Sequence, residues 1–220
     1  NSVAVGHNAL ATQNLTTVTN AYNVAVGSQA GLVISTGTQN TLIGALAGDA
    51  LTSGNNNVVV GMNALSADTL GDRAVAIGTE ALANQNFTTT TDNYNVAVGF
   101  HAGNDVTTGT QNVIIGGLAG DAMTTPNNNV AVGFQALSND TTGQSNVGVG
   151  YNALATQNRT DSTSQFNVGV GASAGEQITS GTQNTLIGGL AGDELTASDF
   201  NVAVGYSSLS TDTLGARNVA

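Results

Sequence analysis

The chain has 220 residues, a net charge of −11, three Arg, no Lys, no Cys and no Trp. Clustered Lys and Arg bind nucleic-acid phosphates and anionic membrane surfaces, so this composition excludes both of those protein classes. The lack of Cys excludes a disulfide framework and thiolate metal sites, and no apolar run approaches the length of a membrane span.

A phrase close to Asn-Val-Ala-Val-Gly recurs along the whole chain. The intervals between its closing glycines read 21, 17, 17 and 17, and this rhythm then repeats. A fixed period of this kind indicates a repeat architecture. We therefore predict one repeat domain, 1–220, made of three units at about 2–73, 74–145 and 146–217, and expect it to be a segment of a longer fibre. The closing glycines are Gly6, Gly27, Gly44, Gly61, Gly78, Gly99, Gly116, Gly133, Gly150, Gly171, Gly188 and Gly205.

Residues 95–111 represent one turn of the repeat. Val96 and Val98 alternate with Ala97, which is the period of a β-strand, and Gly99 ends that strand. Seventeen residues are too few for a βαβ unit, and helical periodicity is absent. We predict an all-β fold, a parallel β-solenoid (β-roll) of about twelve turns. At about 4.8 Å per turn the rod is about 58 Å long.

Three columns of equivalent residues run through the turns. Asn heads ten of the twelve phrases, with Ser2 and Ala74 as exceptions, and predicts a ladder of side-chain amides along the rod. Ala stands three residues after the closing Gly, a place too tight for larger side chains. The next residue is Leu or Gly, and we expect the leucines to fill the core: Leu10, Leu65, Leu82, Leu137, Leu154 and Leu209.

The orientation of the phrase decides which surface is covered. We expect residues such as Val96 and Val98 to point into the solenoid and the middle residue to point away from it. No middle residue is polar, so we predict that this outward stripe is an oligomer interface, most simply of a homotrimer. The interface residues are Ala4, Ala25, Leu42, Val59, Ala76, Ala97, Ile114, Ala131, Leu186 and Ala203, with Gly148 and Gly169 at the same position.

The phrase itself resembles a known repeat. Asn1-Ser-Val-Ala-Val-Gly6 and Asn95-Val-Ala-Val-Gly99, each followed after two residues by Ala, resemble the head repeats of trimeric autotransporter adhesins (the YadA-like head). Similar repeats occur in bacteriophage tail fibres and in repetitive surface proteins. The resemblance implies a left-handed parallel β-roll of three chains side by side that binds host or matrix surfaces.

Catalytic groups are scarce. His7 and His101 have no equivalents in other turns, and without Cys or Lys few nucleophile–base pairs exist, so we predict no enzyme and no cofactor. The strings 148–153 and 169–174 imitate a dinucleotide fingerprint, but no helix follows them. We interpret both histidines as surface residues.

Carboxylates recur once in every repeat unit but are spread along the rod. Calcium takes six to eight oxygen ligands, and equivalent Asp residues lie four turns apart. We interpret them as solvated bend residues and predict no metal site, with a calcium site shared between turns or chains as the alternative. They are Asp49, Asp121 and Asp193, and Asp68, Asp140 and Asp212.

A column of Thr and Ser offers a second kind of surface. It recurs eight residues after the closing Gly, for example at Thr52, Thr107 and Thr124, and is interrupted by Asn in each long turn. A regular hydroxyl array is typical of a face that binds ice or carbohydrate. The aromatic residues just after the phrase suggest either a binding face or packing in the core and between turns: Phe100, Phe134, Tyr151 and Tyr206.

The long turns carry N-glycosylation patterns. Asn14, Asn86 and Asn158 are each followed two residues later by Thr, and Asn139 matches as well. We expect loops 13–22, 85–94 and 157–166 to protrude as sites of decoration or contact.

These features favour a structural or adhesive fibre segment. We expect an extracellular rod on a cell surface or virion appendage that presents loops for attachment, with a host, matrix or cell-surface ligand. It would not bind nucleic acid or insert into a membrane. The alternative is a ligand-binding solenoid for ice or carbohydrate that uses its Thr/Asn face.

Overall fold

A computed structural model, which describes residues 1–15 and 20–220, shows an all-β parallel solenoid of about twelve turns. Each turn contains one strand of three residues, and the long turn of the second unit is bordered by two shorter ones. The strands are β1 (Val3–Val5), β2 (Val24–Val26), β3 (Thr41–Ile43), β4 (Val58–Val60), β5 (Gly71–Asp72), β6 (Val75–Ile77), β7 (Thr91–Asp92), β8 (Val96–Val98), β9 (Val113–Ile115), β10 (Val130–Val132), β11 (Val147–Val149), β12 (Val168–Val170), β13 (Thr185–Ile187) and β14 (Val202–Val204).

The twelve longer strands form one parallel sheet in which each strand pairs with its equivalent in the next turn. Its register joins Val96 to Val113 and Ala97 to Ile114, a step of one short turn. The two shorter strands, β5 and β7, pair with each other in a small second sheet. Among the described residues no helix is present that could span a membrane.

The phrase is oriented opposite to the sequence-based prediction. From β2 onward the middle residues of the main sheet are buried, with Ala97 and Ile114 at 0% exposure, whereas their neighbours on both sides face outward. The head residue explains this, because the Asn95 side chain is itself buried. Strand residues alternate between faces, so a buried Asn places the first Val outside, the middle residue inside and the second Val outside.

The interface predicted from the middle residues is therefore wrong. All but one of them lie inside the solenoid of their own chain: Ala25, Leu42, Val59, Ala76, Ala97, Ile114, Ala131, Leu186 and Ala203. Ala4 is exposed, and its strand β1 pairs with β2 alone.

Large and small residues complement each other in the core, where the middle residue of the strand faces the Leu or Gly that follows the Ala. The predicted core leucines are buried, except that Leu209 is partly exposed. Where the middle residue is large, as at Leu42, the facing residues are Gly31 and Gly48, whose added Cβ would lie 2.7 and 2.9 Å from Leu42. Where the middle residue is Gly169, Leu154 occupies the space instead. The Ala residues three positions after the closing Gly are fully buried, except for the partly buried Ala9.

The closing glycine of the phrase is required by the close approach of successive turns. Gly99 has φ +142°, and a Cβ there would lie 2.5 Å from the carbonyl oxygen of Gly116 in the next turn. A side chain would therefore be strained by the backbone angle and would collide with backbone of the adjacent turn.

Candidate interaction face and long turns

The largest functional candidate is the outward side of the twelve-stranded sheet, which we call the outer sheet face. It consists of the first and third residues of each of the twelve strands, and all are Val or Ile except Thr41 and Thr185. Ile43 is 40% exposed and Ile187 is 40% exposed even with paired strands on both sides. A row of half-exposed β-branched residues along a whole sheet is unusual for the free surface of a monomer.

Aromatic residues border this face on both sides. One border lies just before the head Asn (Tyr22, Tyr94, Phe166, Phe200), and the other lies just after the closing Gly (Phe100, Phe134, Tyr151, Tyr206). All of these rings are strongly exposed, so they are not core residues. One pair packs between turns: the Phe134 and Tyr151 rings stack with centroids 6.0 Å apart.

Two arginines lie in the first of these borders. The Arg73 guanidinium lies 5.7 Å from the Tyr94 ring centroid, and that of Arg217 lies 5.1 Å from the Phe200 ring. Arg73 also pairs with Asp92. Both cations are thus held at the edge of the apolar face and not within it.

The head asparagines form the ladder that the sequence predicts, and they also close the bend of each turn. Asn112 donates from Nδ2 to the Asn95 Oδ1 (3.0 Å) and to the Pro126 carbonyl (2.9 Å). Its Oδ1 accepts the backbone N–H of Asn129 in the next turn at 3.1 Å. Every polar atom of this buried amide is therefore used within the chain, so the column stabilises the rod and offers nothing to a ligand.

The Ser/Thr column is used in the same way. The Thr52 hydroxyl donates to the Thr69 carbonyl at 3.0 Å, and the Thr107 hydroxyl donates to the Thr124 carbonyl at 2.9 Å. Because each of these hydroxyl groups donates its hydrogen to the next turn, it cannot also donate that hydrogen to a ligand.

A buried carboxylate–amide pair occurs twice, at Asp68 and Asp140. The Gln85 amide donates to Asp68 at 2.7 Å, and the Gln157 amide donates to Asp140 at 2.8 Å. Both carboxylates are fully buried, and desolvation raises the pKa of each above its ordinary value. The prediction of solvated bend residues is wrong for these two Asp, because backbone and amide donors replace water around them.

The other recurring carboxylates are only partly buried. Asp49, Asp121 and Asp193 each keep one buried oxygen without a protein hydrogen bond, and desolvation raises the pKa of each. Asp212, in the last turn, is half-buried. Within the described part of the chain no three His, Asp or Glu side chains are grouped so that they could hold a metal ion.

The histidines lie outside the solenoid core. His7 is exposed, and the half-buried His101 contacts Glu80 with 2.9 Å between Nε2 and Oε2. No Ser or Thr hydroxyl is hydrogen-bonded to either ring among the described residues, so neither histidine has the contact that activates a hydroxyl nucleophile.

In the second and third long turns a run of exposed residues, 88–90 and 160–163, follows the predicted asparagine. The Oδ1 atoms of Asn86 and Asn158 each accept the Thr hydroxyl of the preceding turn at 3.0 Å. Asn158 is exposed, and a shallow polar groove beside it is lined by Asn158, Arg159, Thr160, Asp161 and Ser180. Asn14 is exposed too, but Thr16, the third residue of its pattern, lies outside the described residues.

Two of these features have sequence signals that hydrophobicity does not capture. The head Asn recurs at a bend, which indicates an inward amide and reverses the assignment of the two strand faces. The sequence also indicates the Asp–Gln pairs, because Gln85 follows Asp68, and Gln157 follows Asp140, by one short turn.

Comparison of the chain with protein-family models, with curated proteins and with solved structures finds no significant match.

Proposed function

We propose that this chain is a stiff structural segment of an extracellular fibre, and that copies of the chain cover one another along the outer sheet face. The observation that carries this proposal is the unbroken row of β-branched residues, nearly all Val and Ile, on the outward side of twelve strands. The resemblance to adhesin heads supports three copies sharing one axis, on a cell surface or virion appendage, with the long turns facing outward for attachment.

The energetics support a covered face. Full burial of one Val or Ile side chain contributes about 1.5–3 kcal/mol. A half-exposed residue such as Ile43 would therefore contribute on the order of 1 kcal/mol when a partner covers it. The row repeats this contribution in every turn. Association costs on the order of 4–15 kcal/mol in lost freedom, which several turns of such contact would offset.

The parallel register also suits a homo-oligomer. The strands of successive turns pair in parallel and in register, so the first residues of the strands form one row along the rod and the third residues form another. A second copy aligned in parallel therefore meets an equivalent row at every turn, and the contact grows in proportion to rod length. The bordering aromatic rings would meet across the seams between copies.

The test is the mass of the protein in solution together with a matched pair of Asp substitutions on one strand. We expect a mass near three times the 21.8 kDa of one chain. Val98→Asp places a charge on the outer sheet face and should make the folded oligomer dissociate at a higher protein concentration than the wild type, whereas Ala97→Asp places it in the core and should unfold the chain. Thr125→Asp, on an exposed residue away from this face, serves as the control that stays oligomeric.

Two results would contradict the proposal. A wild-type chain that remains a monomer at high concentration would show that copies of the chain do not cover the outer sheet face. A Val98→Asp oligomer that dissociates at the same protein concentration as the wild type would place the contact elsewhere on the rod.

The alternative is a ligand-binding solenoid for ice or carbohydrate. It has less support because hydroxyl groups of the Ser/Thr column donate their hydrogens to the next turn. The observation that still favours it is the presence of exposed Thr residues such as Thr108 and Thr125. Thermal hysteresis or glycan-array binding by the isolated protein would favour this alternative.

A further inference from the structure

The long turn of the third unit contains an asparagine whose surroundings differ from those of the ladder. Asn158 heads the tripeptide Asn158-Arg159-Thr160, and its side chain is exposed. Its Oδ1 accepts the Thr141 hydroxyl at 3.0 Å, which fixes the orientation of the amide. No protein acceptor takes a hydrogen bond from its Nδ2 among the described residues, in contrast to the Nδ2 of a ladder residue such as Asn112.

The rest of the tripeptide is also accessible. Thr160 is exposed, and no described residue bonds its hydroxyl. The Thr142 hydroxyl donates to the Arg159 carbonyl at 2.6 Å, so the root of the loop is anchored while the Asn158 Nδ2 and the Thr160 hydroxyl face solvent. An Asn amide and a Thr hydroxyl two residues later form the acceptor pattern for N-linked sugars.

The groove beside Asn158 offers polar partners to a sugar. The Arg159 guanidinium pairs with Asp161 and donates to the Ser180 carbonyl at 2.9 Å. Together with Asn158 and Thr160 these residues line the groove. The Asp161 carboxylate is bonded by Arg159 and Thr163, whereas the side chain of the exposed Ser180 has no hydrogen bond with any described residue and is free to bond a sugar hydroxyl.

The structure assigns Asn158 as an acceptor site for an N-linked sugar whose first ring lies over this groove. In the transfer, Nδ2 attacks C1 of a sugar diphosphate donor, the N–C1 bond forms as the C1–O bond to the diphosphate breaks, and one amide proton passes to the base of the transferase. The diphosphate leaves with the electron pair of the broken bond. The solenoid core is unchanged by this modification.

The chain provides an internal control at Asn139. Asn139-Asp140-Thr141 has the same pattern, but Asp140 is fully buried and the Thr141 hydroxyl is donated to Asn158. A transferase would have to open this turn to bind the tripeptide, and the need for local opening slows the reaction of a folded protein. Asn86 is an intermediate case, because Phe87 in its tripeptide is only 6% exposed.

The experiment incubates the folded chain with a soluble asparagine N-glucosyltransferase and UDP-glucose and follows each site by peptide mass spectrometry. We expect Asn158 to gain a hexose at least about tenfold faster than Asn139, because Asn139 reacts only after local opening. In urea-unfolded chain the two sites should react at similar rates, which shows that the enzyme accepts both tripeptides.

Variants separate the site from the fold. Thr160→Ala should abolish the hexose on Asn158 and Thr160→Ser should restore it, with unchanged melting temperatures, because Thr160 is exposed and lies outside the core. Equal rates at Asn139 and Asn158 in the folded chain would overturn the assignment. So would a folded chain that takes no hexose at Asn158 although the unfolded chain does. Neither outcome depends on the oligomeric state proposed above.

Discussion

At the residue scale the head asparagine determines the structure of each turn. It recurs inside the solenoid in almost every turn, and its amide connects three pieces of backbone or side chain at once. A hydrocarbon side chain of similar size would fill the same volume but would leave those donors and acceptors buried without partners. This explains why Asn, and no large apolar residue, stands at the head of ten of the twelve phrases.

Asn112→Ala tests the ladder. It should lower the free energy of unfolding by about 1–3 kcal/mol, because it leaves one buried group, the Asn129 N–H, without a partner. The Pro126 carbonyl loses the amide of Asn112 but still accepts the Thr110 N–H at 3.1 Å. Chemical denaturation measures the change.

Asn139→Ala is the matched control for that measurement. The Asn139 side chain is exposed and makes no hydrogen bond with any described residue. A surface substitution of this kind should lie within about 0.5 kcal/mol of the parent chain. Equal effects of the two substitutions would contradict the role given to the ladder.

Ser2 and Ala74 show what happens where the Asn is missing. The Ser2 hydroxyl accepts the Asn23 N–H at 3.4 Å in place of an amide oxygen. In the turn of Ala74, the inserted Asn93 supplies the acceptor for the Asn95 N–H at 2.9 Å, while the Gln85 side chain accepts from the Asn95 amide. Asn93 thus replaces the acceptor of the missing head amide, whereas the Gln contact also occurs in the third unit, where Gln157 accepts from Asn167.

At the element scale the core depends on the sum of neighbouring side-chain volumes. The strand contributes one inward residue per turn, and the column after Ala contributes Leu or Gly. A Cβ added at Gly169 would lie 2.9 Å from Leu154 Cγ. Gly169→Ala should therefore cost about 1–3 kcal/mol, because such overpacking strains a close-packed core. Thermal unfolding of the single variant measures this.

The double variant Leu154→Ala, Gly169→Ala tests whether these two residues share one space. Leu154→Ala alone creates a cavity and should cost about 2–5 kcal/mol. The double variant should lose less unfolding free energy than the sum of the two single variants, by at least about 0.5 kcal/mol. The reason is that the methyl group added by Gly169→Ala partly fills the cavity left by Leu154→Ala. Strict additivity would show that the two positions do not pack against each other.

The sequence predicted the solenoid, its twelve turns and the Ala and Leu columns, because period and residue size identify these features without coordinates. It did not predict which way the strand faces. Val96 and Ala97 are both apolar, so hydrophobicity alone cannot orient a strand that is apolar on both sides, and the inward direction is set by Asn95. The prediction of a covered apolar surface stays a prediction, now placed on the flanking Val and Ile and not on the middle residues.

Long-turn structure was the least predictable part of the candidate sites. Asn86 and Asn158 match the same tripeptide pattern, but Phe87 is buried and Arg159 lies at the surface. Both residues make the same contact with the preceding turn, because Asp68 accepts the Phe87 N–H at 3.1 Å and Asp140 accepts the Arg159 N–H, so the difference lies in the side chain between the Asn and the Thr. Contacts between turns of this kind have no signature in a short motif.

At the scale of the whole molecule the acidic residues make stability depend on pH. Desolvation raises the pKa of Asp68, Asp140 and Asp49 in the folded chain. A raised pKa means that the folded state binds protons more tightly than the unfolded state, so the free energy of unfolding falls as pH rises through the folded-state pKa. The exposed Asp161, whose pKa is lowered by a hydrogen bond from Arg159, acts in the opposite direction but is screened by water.

We therefore expect the chain to be more resistant to urea near the ordinary Asp pKa of about 4 than at about pH 7, because the carboxyl groups with raised pKa bind protons more tightly in the folded chain as the pH falls towards that value. Urea denaturation at several pH values measures the slope. Asp68→Asn with Asp140→Asn should flatten it, since two of the groups responsible no longer titrate. A parent chain that loses stability on acidification would contradict the dominance of the buried carboxyls.

The Asp–Gln pair has a consequence for how such a rod can change length. Asp68 and Gln85 lie in consecutive turns, and so do Asp140 and Gln157, whereas the neighbouring turns carry aliphatic residues such as Leu51 at the same place. Deletion of the Asp turn or of the Gln turn alone would set a buried carboxylate against an aliphatic side chain or leave a glutamine without its acceptor. Gene duplication or recombination therefore preserves the pair only when its two turns are kept or removed together. Because the pair occurs once in every four turns, whole repeat units are the steps that also keep its spacing, each worth roughly 19 Å of reach at the usual strand spacing.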